Sequence, residues 1–139
     1  MFTNPGTAQI REILGAAKKV AVVGISNRDD RASRYVSEYL QREGYEIFPV
    51  NPDISEWQGI PTFKSVSEIP EPVDVVDVFR RSIATVDVAK DVAGTGAKVL
   101  WLQQGIYNEE TAQIAQDAGM TVVMDKCIMV EHKGMKLGL

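Results

Sequence analysis

The chain has 139 residues, of which 45% are hydrophobic and 24% charged, a composition that indicates a folded domain and excludes a disordered chain. The net charge of −4 argues against a general nucleic-acid binder, because neutralising phosphates requires a basic surface. One cysteine allows no internal disulfide, no apolar run approaches the ~20 residues of a membrane helix, and the N-terminal residues lack a signal-peptide pattern. We therefore expect one domain over residues 1–139, located in the cytoplasm, with no membrane partner.

The first half of the chain alternates helix and strand. Apolar residues at helical spacing predict a helix over 7–17, with Thr7 at the N-cap, and a second over 33–42 that ends at Gly44. Unbroken apolar runs at 20–24 and 47–50 are typical of parallel strands that are covered on both faces.

The second half continues this alternation after a less regular stretch over 55–71. Three more strands and two helices are predicted: strands at 73–79, 98–102 and 120–124, a helix over 82–93 capped by Ser82, and a helix over 109–118 capped by Asn108. Such alternation favours parallel pairing with right-handed crossovers. We predict an α/β, Rossmann-like, doubly wound sheet of five parallel strands in the order 3-2-1-4-5, with helices on both faces.

Ligands of such sheets bind beyond the carboxyl ends of the strands, so the loops there are the candidate site. In the first loop, Gly24 lets a ligand approach the backbone, and Ser33 begins a helix whose free N–H groups favour an anion. Three arginines could add charge for a phosphate: Arg28, Arg31 and Arg34. The alternative is a solvated loop in which these arginines pair with Asp29 and Asp30.

The second loop argues against a nicotinamide cofactor. Only Gly24 remains of the three-glycine dinucleotide motif. The second strand ends in Asn51 and Pro52, where NAD normally meets an acidic residue. Asn51 can offer a donor and an acceptor to an adenine or ribose, but it is equally well explained as a turn residue before proline.

The third and fourth loops add polar groups to the same edge. Arg80 and Arg81 enter a helix after Phe79, which suits a phosphate beside an adenine ring or an apolar ligand arm. A core phenylalanine with two solvated arginines is the alternative. After the fourth strand, Gln103 can bond an amide-bearing ligand and Gly105 opens a further anion or amide site.

Other reactive residues suggest no catalytic centre. His132 is expected in a solvated C-terminal tail, and one cysteine and one histidine five residues apart make no metal site. Asp74 and Asp77 lie along the third strand and are not expected to form an acid–base pair. Cys127 follows the fifth strand, where a mixed disulfide with a ligand thiol is conceivable, although most single cysteines are small buried residues.

Four runs together resemble a known family. They are VAVVGISNRDDRASRYVSEYLQREGYEIFPVNP, VDVVDVFRRS, AKVLWLQQGIYNEE and MTVVMDKC, and with their order and spacing they cover the chain from about Ile10 to about His132. They are similar to the small stand-alone CoA-binding domain proteins and to the CoA-binding domain of the succinyl-CoA synthetase alpha subunit. The additional phosphohistidine domain and nucleotide-grasp subunit of those synthetases do not fit within this length.

The resemblance implies a Rossmann-like domain that binds coenzyme A. It assigns the phosphates to the first loop, the adenine side to the second strand end, Phe79 and Arg80 to the third loop, and the pantetheine arm to the fourth loop. The candidate binding residues are Gly24, Ile25, Ser26, Arg31, Ser33, Arg34, Val50, Asn51, Pro52, Phe79, Arg80, Arg81, Gln103, Gly105 and Ile106.

The resulting functional prediction is non-catalytic binding of coenzyme A or an acyl-CoA, as a carrier, sensor or regulatory module. The alternatives are an enzyme, either a CoA-transferring enzyme with a partner or an NAD-dependent oxidoreductase, and a redox switch that forms a mixed disulfide with CoA through Cys127. The expected partner is a small molecule and not nucleic acid, and a homodimer stays open because small domains of this type often pair.

Overall fold

A computed structural model describes residues 1–139. The helices are α1 (Thr7–Ala16), α2 (Ala32–Arg42), α3 (Thr85–Val92), α4 (Glu109–Asp117) and α5 (Ile128–Leu137). The strands are β1 (Lys19–Val23), β2 (Glu46–Val50), β3 (Glu56–Trp57), β4 (Ile60–Pro61), β5 (Val75–Val78), β6 (Val99–Leu102) and β7 (Thr121–Val123). None of the helices is long and apolar enough to cross a membrane.

Five of these strands form one parallel sheet in the order β2-β1-β5-β6-β7, which confirms the α/β, Rossmann-like fold. The predicted order 3-2-1-4-5 is wrong, because the third predicted strand (β5) pairs with β1 and not with β2. The outer edge of β2 is occupied by Phe63, whose N–H donates to Pro49 O at 2.9 Å and whose carbonyl accepts from Asn51 N at 2.9 Å. The strand order therefore reverses between β1 and β5.

Two hydrophobic layers cover the sheet. On one face, α1, α2 and α5 bury Ile10, Leu14, Val36, Leu40 and Ile128 against the strands. On the other face, α3 and α4 contribute the small residues Ala89, Val92, Ala112 and Ala115. Strands β5 and β6 are buried along their whole length, as expected for central strands covered on both faces, and the burial of β5 includes Asp77.

The C-terminal segment differs most from the prediction. Residues expected to form a solvated tail instead form α5, and His132 is buried, with 5% of its surface exposed. Its Nδ1 lies 2.7 Å from the hydroxyl oxygen of Tyr39 on α2. Burial lowers the pKa of His132, an effect that Glu43 opposes. The expectation of a solvated histidine is therefore wrong, because this side chain joins two helices.

Smaller differences concern helix starts. Helix α1 begins at Thr7, so its N-cap is Gly6. Ser82 starts a short 3-10 turn, and α3 begins only at Thr85. Asn108 does cap α4, since its Oδ1 accepts a hydrogen bond from Thr111 N at 3.0 Å.

Candidate functional site

The loops after β1 and β5 meet in close backbone contact at the point where the strand order reverses. Gly24 has a φ of +84°, and a Cβ built on it would lie 2.4 Å from Phe79 O. No side chain fits at this position, and a positive φ is strained for any residue with a Cβ. Only glycine therefore allows the two loops to approach each other and form the floor of a shared site.

A cavity of about 530 Å³ lies above this floor and is lined by arginines from both loops. We call it the arginine cavity; its lining includes Gly24, Ser26, Arg28, Arg31, Ala32, Ser33, Phe79, Arg80, Arg81 and Ile106. No carboxylate lies within ion-pair distance of Arg31, Arg80 or Arg81. These three guanidinium groups are therefore available to an anionic ligand.

The other two arginines of the first loop are paired, as the alternative interpretation of that loop expected. Arg28 forms an ion pair with Asp30 at 3.1 Å, and Arg34 pairs with Asp29 at 2.7 Å. Arg34 also reaches Glu38 at 3.5 Å and lines no part of the arginine cavity. Of the three arginines in this loop, Arg31 alone lines the cavity without an ion pair, since Arg28 lines it while paired with Asp30.

Helix α2 points its N-terminus at the arginine cavity. The backbone N–H groups of Ala32 and Ser33 donate no hydrogen bond within the chain, and the N-cap Arg31 makes no side-chain cap. Free N–H groups and the helix dipole both favour an anion at this position. Two loops and one helix end therefore offer positive potential to the same volume.

Hydrogen bonds from the β2–β3 region hold the first loop in place. Asn51 Nδ2 donates to Ile25 O at 2.9 Å, and Asn51 Oδ1 accepts from Asp53 N at 2.8 Å. Trp57 Nε1 donates to Ser26 O at 3.0 Å. Both polar atoms of the Asn51 side chain are thus used inside the protein, which makes Asn51 a positioning residue in this structure.

A second cavity of about 340 Å³ lies beside the ends of β1 and β2. We call it the Lys64 cavity; it is lined by Val23, Val50, Pro52, Lys64, Ser65, Val66, Arg80, Ala84, Asp87, Val88 and Asp91. Arg80 lines both this cavity and the arginine cavity, so the two are adjacent. Lys64 and Ser65 are absent from the sequence prediction, because only the bonding of Phe63 along β2 brings them to this edge.

A groove of about 360 Å³ runs between α2 and α5 on the other side of the arginine cavity. This α2–α5 groove shares Ala32, Phe79 and Ile106 with the arginine cavity. Its remaining lining is mostly apolar and comprises Tyr35, Val36, Gln103, Gln104, Cys127, Met129 and Val130. Three compartments of different chemistry therefore follow one another at the carboxyl edge of the sheet, each sharing lining residues with the next.

Most of the predicted binding residues lie in these compartments. Gly24, Ser26, Arg31, Ser33, Phe79, Arg80, Arg81 and Ile106 line the arginine cavity, Val50 and Pro52 the Lys64 cavity, and Gln103 the α2–α5 groove. Four others lie outside them: Ile25, Arg34, Asn51 and Gly105. Ile25 is in the core, and the N–H of Gly105 donates to Asp125 Oδ1 at 2.7 Å.

Asp77 lies on β5 and Asp74 immediately precedes it, and the two carboxyl groups have different environments. Asp74 accepts the N–H groups of Lys18 and Lys19 at 2.8 and 2.9 Å. Asp77 is fully buried between Val22 and Trp101 on the neighbouring strands, and neither carboxyl oxygen has a hydrogen-bond partner. Burial raises the pKa of Asp77 well above its ordinary value.

Comparison with known proteins shows which family the chain resembles. The model of the CoA-binding domain matches residues 18–133. The uncharacterised protein YneT of Bacillus subtilis (strain 168) is 50% identical over 129 residues, which is 93% of this chain and 96% of that protein. A solved structure of a hypothetical protein from Pyrococcus horikoshii OT3 matches with a TM-score of 0.91 and 36% identity, covering 98% of this chain and 99% of the other.

A more distant similarity is to a much longer enzyme. The ADP-forming acetate–CoA ligase I of Archaeoglobus fulgidus is 27% identical over 121 residues, which is 80% of this chain but only 18% of the ligase. The family match covers most of the chain, and its boundaries contain all three compartments. This chain belongs to the CoA-binding domain family.

Proposed function

We propose that the protein binds coenzyme A or an acyl-CoA as a carrier, sensor or regulatory module and performs no chemistry on the acyl group. The observation that carries this proposal is the linear order of the three compartments. The Lys64 cavity, the arginine cavity and the α2–α5 groove are joined through Arg80 on one side and through Ala32, Phe79 and Ile106 on the other.

The order of chemistry in these compartments matches the order of groups in CoA. An adenine between Val50, Pro52 and Val88 would place the ribose 3′-phosphate near Lys64 and Arg80. The diphosphate would then lie against Arg31, Arg81 and the free N–H groups of α2. The pantetheine arm, in which a hydroxyl and two amides alternate with apolar segments before the terminal thiol, would follow the α2–α5 groove.

The charge distribution supports an anionic ligand. The whole chain carries a net charge of −4, yet three arginines without ion pairs point to one cavity. Like charges gathered around one cavity repel one another, and a bound anion would remove that repulsion. A diphosphate supplies that charge with acceptor geometry that suits the forked guanidinium group.

A thermal-shift series tests the proposal with CoA, dephospho-CoA, acetyl-CoA, NAD and ATP at equal concentrations. A ligand at a hundred times its Kd stabilises the folded state by about 2.7 kcal/mol, which raises Tm by several degrees for a domain of this size. We expect CoA and acetyl-CoA to give the largest shifts. A shift with NAD alone, or with none of the five, would overturn the proposal.

A charge-matched pair of variants locates the site. Arg81→Ala should weaken CoA binding about tenfold or more, because a hydrogen bond to a charged group contributes about 1.5–3 kcal/mol. Arg42→Ala removes the same charge from an exposed position at the far end of α2 and should leave the Kd unchanged. Equal losses in the two variants, measured by calorimetric titration, would contradict binding in the arginine cavity.

A further inference from the structure

The α2–α5 groove ends at the one thiol of the chain. Cys127 lines the groove, is partly exposed, and occupies the N-cap position of α5. It makes no side-chain cap bond, so the hydrogen bonds of α5 do not depend on its sulfur. The thiol is therefore accessible from the groove and is not required to begin the helix.

A second polar side chain, Gln103, lines the same groove and uses only one of its two polar atoms within the chain. Gln103 is buried, with 4% of its surface exposed, and its Oε1 accepts a hydrogen bond from Ile128 N at 3.0 Å. Its amide nitrogen donates no hydrogen bond within the chain, although the residue lines the groove. The amide nitrogen of Gln103 is thus free to donate to an acceptor in the groove, such as the amide carbonyl of an extended thiol-bearing arm.

We propose that Cys127 exchanges with disulfides of CoA and that the protein thereby carries CoA as a mixed disulfide. This inference rests on the proposed function, since the arginine cavity must hold the diphosphate while the arm extends towards Cys127. It adds a covalent, redox-dependent activity to a site that otherwise binds its ligand reversibly.

The exchange is balanced without a further oxidant. The Cys127 thiolate attacks the CoA-bearing sulfur of a CoA disulfide, a bond forms between Sγ and that sulfur, and the original S–S bond breaks. The other half leaves as a thiolate and takes up the proton that Cys127 lost. A second small thiol reverses the reaction by attacking the mixed disulfide, which returns free Cys127.

Binding of the nucleotide half should make this exchange selective. A disulfide held by the arginine cavity reacts in an effectively intramolecular step, so its rate reflects a local concentration above that in solution. Glutathione disulfide lacks the nucleotide and reacts only by collision. We therefore expect CoA disulfide to react at least about tenfold faster than glutathione disulfide at equal concentration.

The experiment follows covalent addition by intact-protein mass spectrometry. Wild-type protein and Cys127→Ser are incubated separately with CoA disulfide and with glutathione disulfide, and the reaction of Arg81→Ala is followed in parallel. The expected result is one CoA added per wild-type chain, at a rate that saturates with CoA disulfide and slows in Arg81→Ala. Glutathione disulfide should react equally slowly with both cysteine-containing proteins, and Cys127→Ser should not react.

Calorimetric titration of Cys127→Ser with reduced CoA separates failure of this inference from failure of the proposed function. If Cys127→Ser binds CoA while the wild-type protein gains no CoA, or gains it no faster than glutathione, the exchange is overturned and reversible binding stands. If Cys127→Ser does not bind CoA and addition to the wild type does not saturate, the proposed function itself fails.

Discussion

At the residue scale, the close approach of Gly24 to the backbone of Phe79 leaves no room for a side chain at position 24. We expect Gly24→Ala to destabilise the fold by about 1–3 kcal/mol and to weaken CoA binding, because its Cβ would lie 2.4 Å from Phe79 O. Gly44→Ala is the matched control, since Gly44 has a φ of +99° but nothing within 4 Å of a built Cβ. Urea denaturation should give the larger loss for Gly24→Ala, and equal losses would contradict a steric role.

Lys64 provides a second test at this scale. If its ammonium group contacts the 3′-phosphate, Lys64→Ala should weaken binding of CoA about tenfold and leave the affinity for dephospho-CoA unchanged. Lys90→Ala, an exposed position on α3, should alter neither affinity. Titration of the three proteins with both ligands checks this, and an equal loss for both ligands in Lys64→Ala would place the contact elsewhere.

The buried carboxyl group of Asp77 should make the stability of the fold depend on pH. Burial raises the pKa of this carboxyl in the folded state. The free energy of unfolding is therefore highest, as far as Asp77 is concerned, below the unfolded pKa of about 3.9, and it decreases as the pH rises towards the folded pKa. Asp77→Val should therefore raise Tm more at pH 8 than at pH 4. In the wild type, the partly buried carboxylate of Asp74 accepts two backbone N–H groups and has a lowered pKa. Asp74→Asn should therefore show the opposite trend and lower Tm more at pH 8 than at pH 4.

The sequence located residues of the three compartments best where these residues closely follow a strand. Arg80, Arg81 and Gln103 could be placed because each follows the carboxyl end of a buried strand, where geometry brings neighbouring loops together. Lys64 could not, since it lies well beyond the end of β2 and reaches the site only through the pairing of Phe63. Asn51 was placed at the correct edge, but nothing in the sequence indicates that Ile25 O and Asp53 N occupy its side chain.

At the element scale, α5 is the helix that the sequence pattern does not predict. Its pattern is weak, because Gly134 interrupts it and polar residues fall on both sides. The helix is stabilised by tertiary contacts, among them Ile128 in the core and His132 beside Tyr39. Periodicity along one segment cannot reveal a face that is defined by a partner more than ninety residues earlier in the chain.

Because His132 on α5 contacts Tyr39 on α2, we expect the packing of α5 to become less stable at acidic pH. Burial lowers the pKa of His132 in the folded state, so the stability from the neutral ring is present above its unfolded pKa of about 6.5 and is lost as pH falls through the folded value. Thermal denaturation between pH 8 and pH 5 should show a smaller decline in Tm for His132→Gln than for the wild type. Parallel declines in both proteins would contradict a role for this histidine.

At the scale of the whole molecule, strand identity was predictable and strand order was not. Each of the five strands of the sheet has its own apolar segment, but the long connection over 51–74 can return to the free edge of β1 or to that of β2. The choice depends on the outer edge of β2, which this same connection covers through Phe63. Because β5 pairs with β1, the strand order reverses between the loops that contain Gly24 and Phe79, and the arginine cavity lies there.

The covering of β2 by Phe63 also affects how the molecule behaves at high concentration. An open edge strand offers unpaired N–H and carbonyl groups that a second chain can extend, a common route to aggregation. Here Phe63 occupies the carbonyl of Pro49, and proline has no N–H to offer a further strand. Association of two copies by continuing the sheet across β2 is therefore disfavoured, which leaves the opposite edge at β7, the helical faces and the ligand-binding edge as surfaces for any self-association.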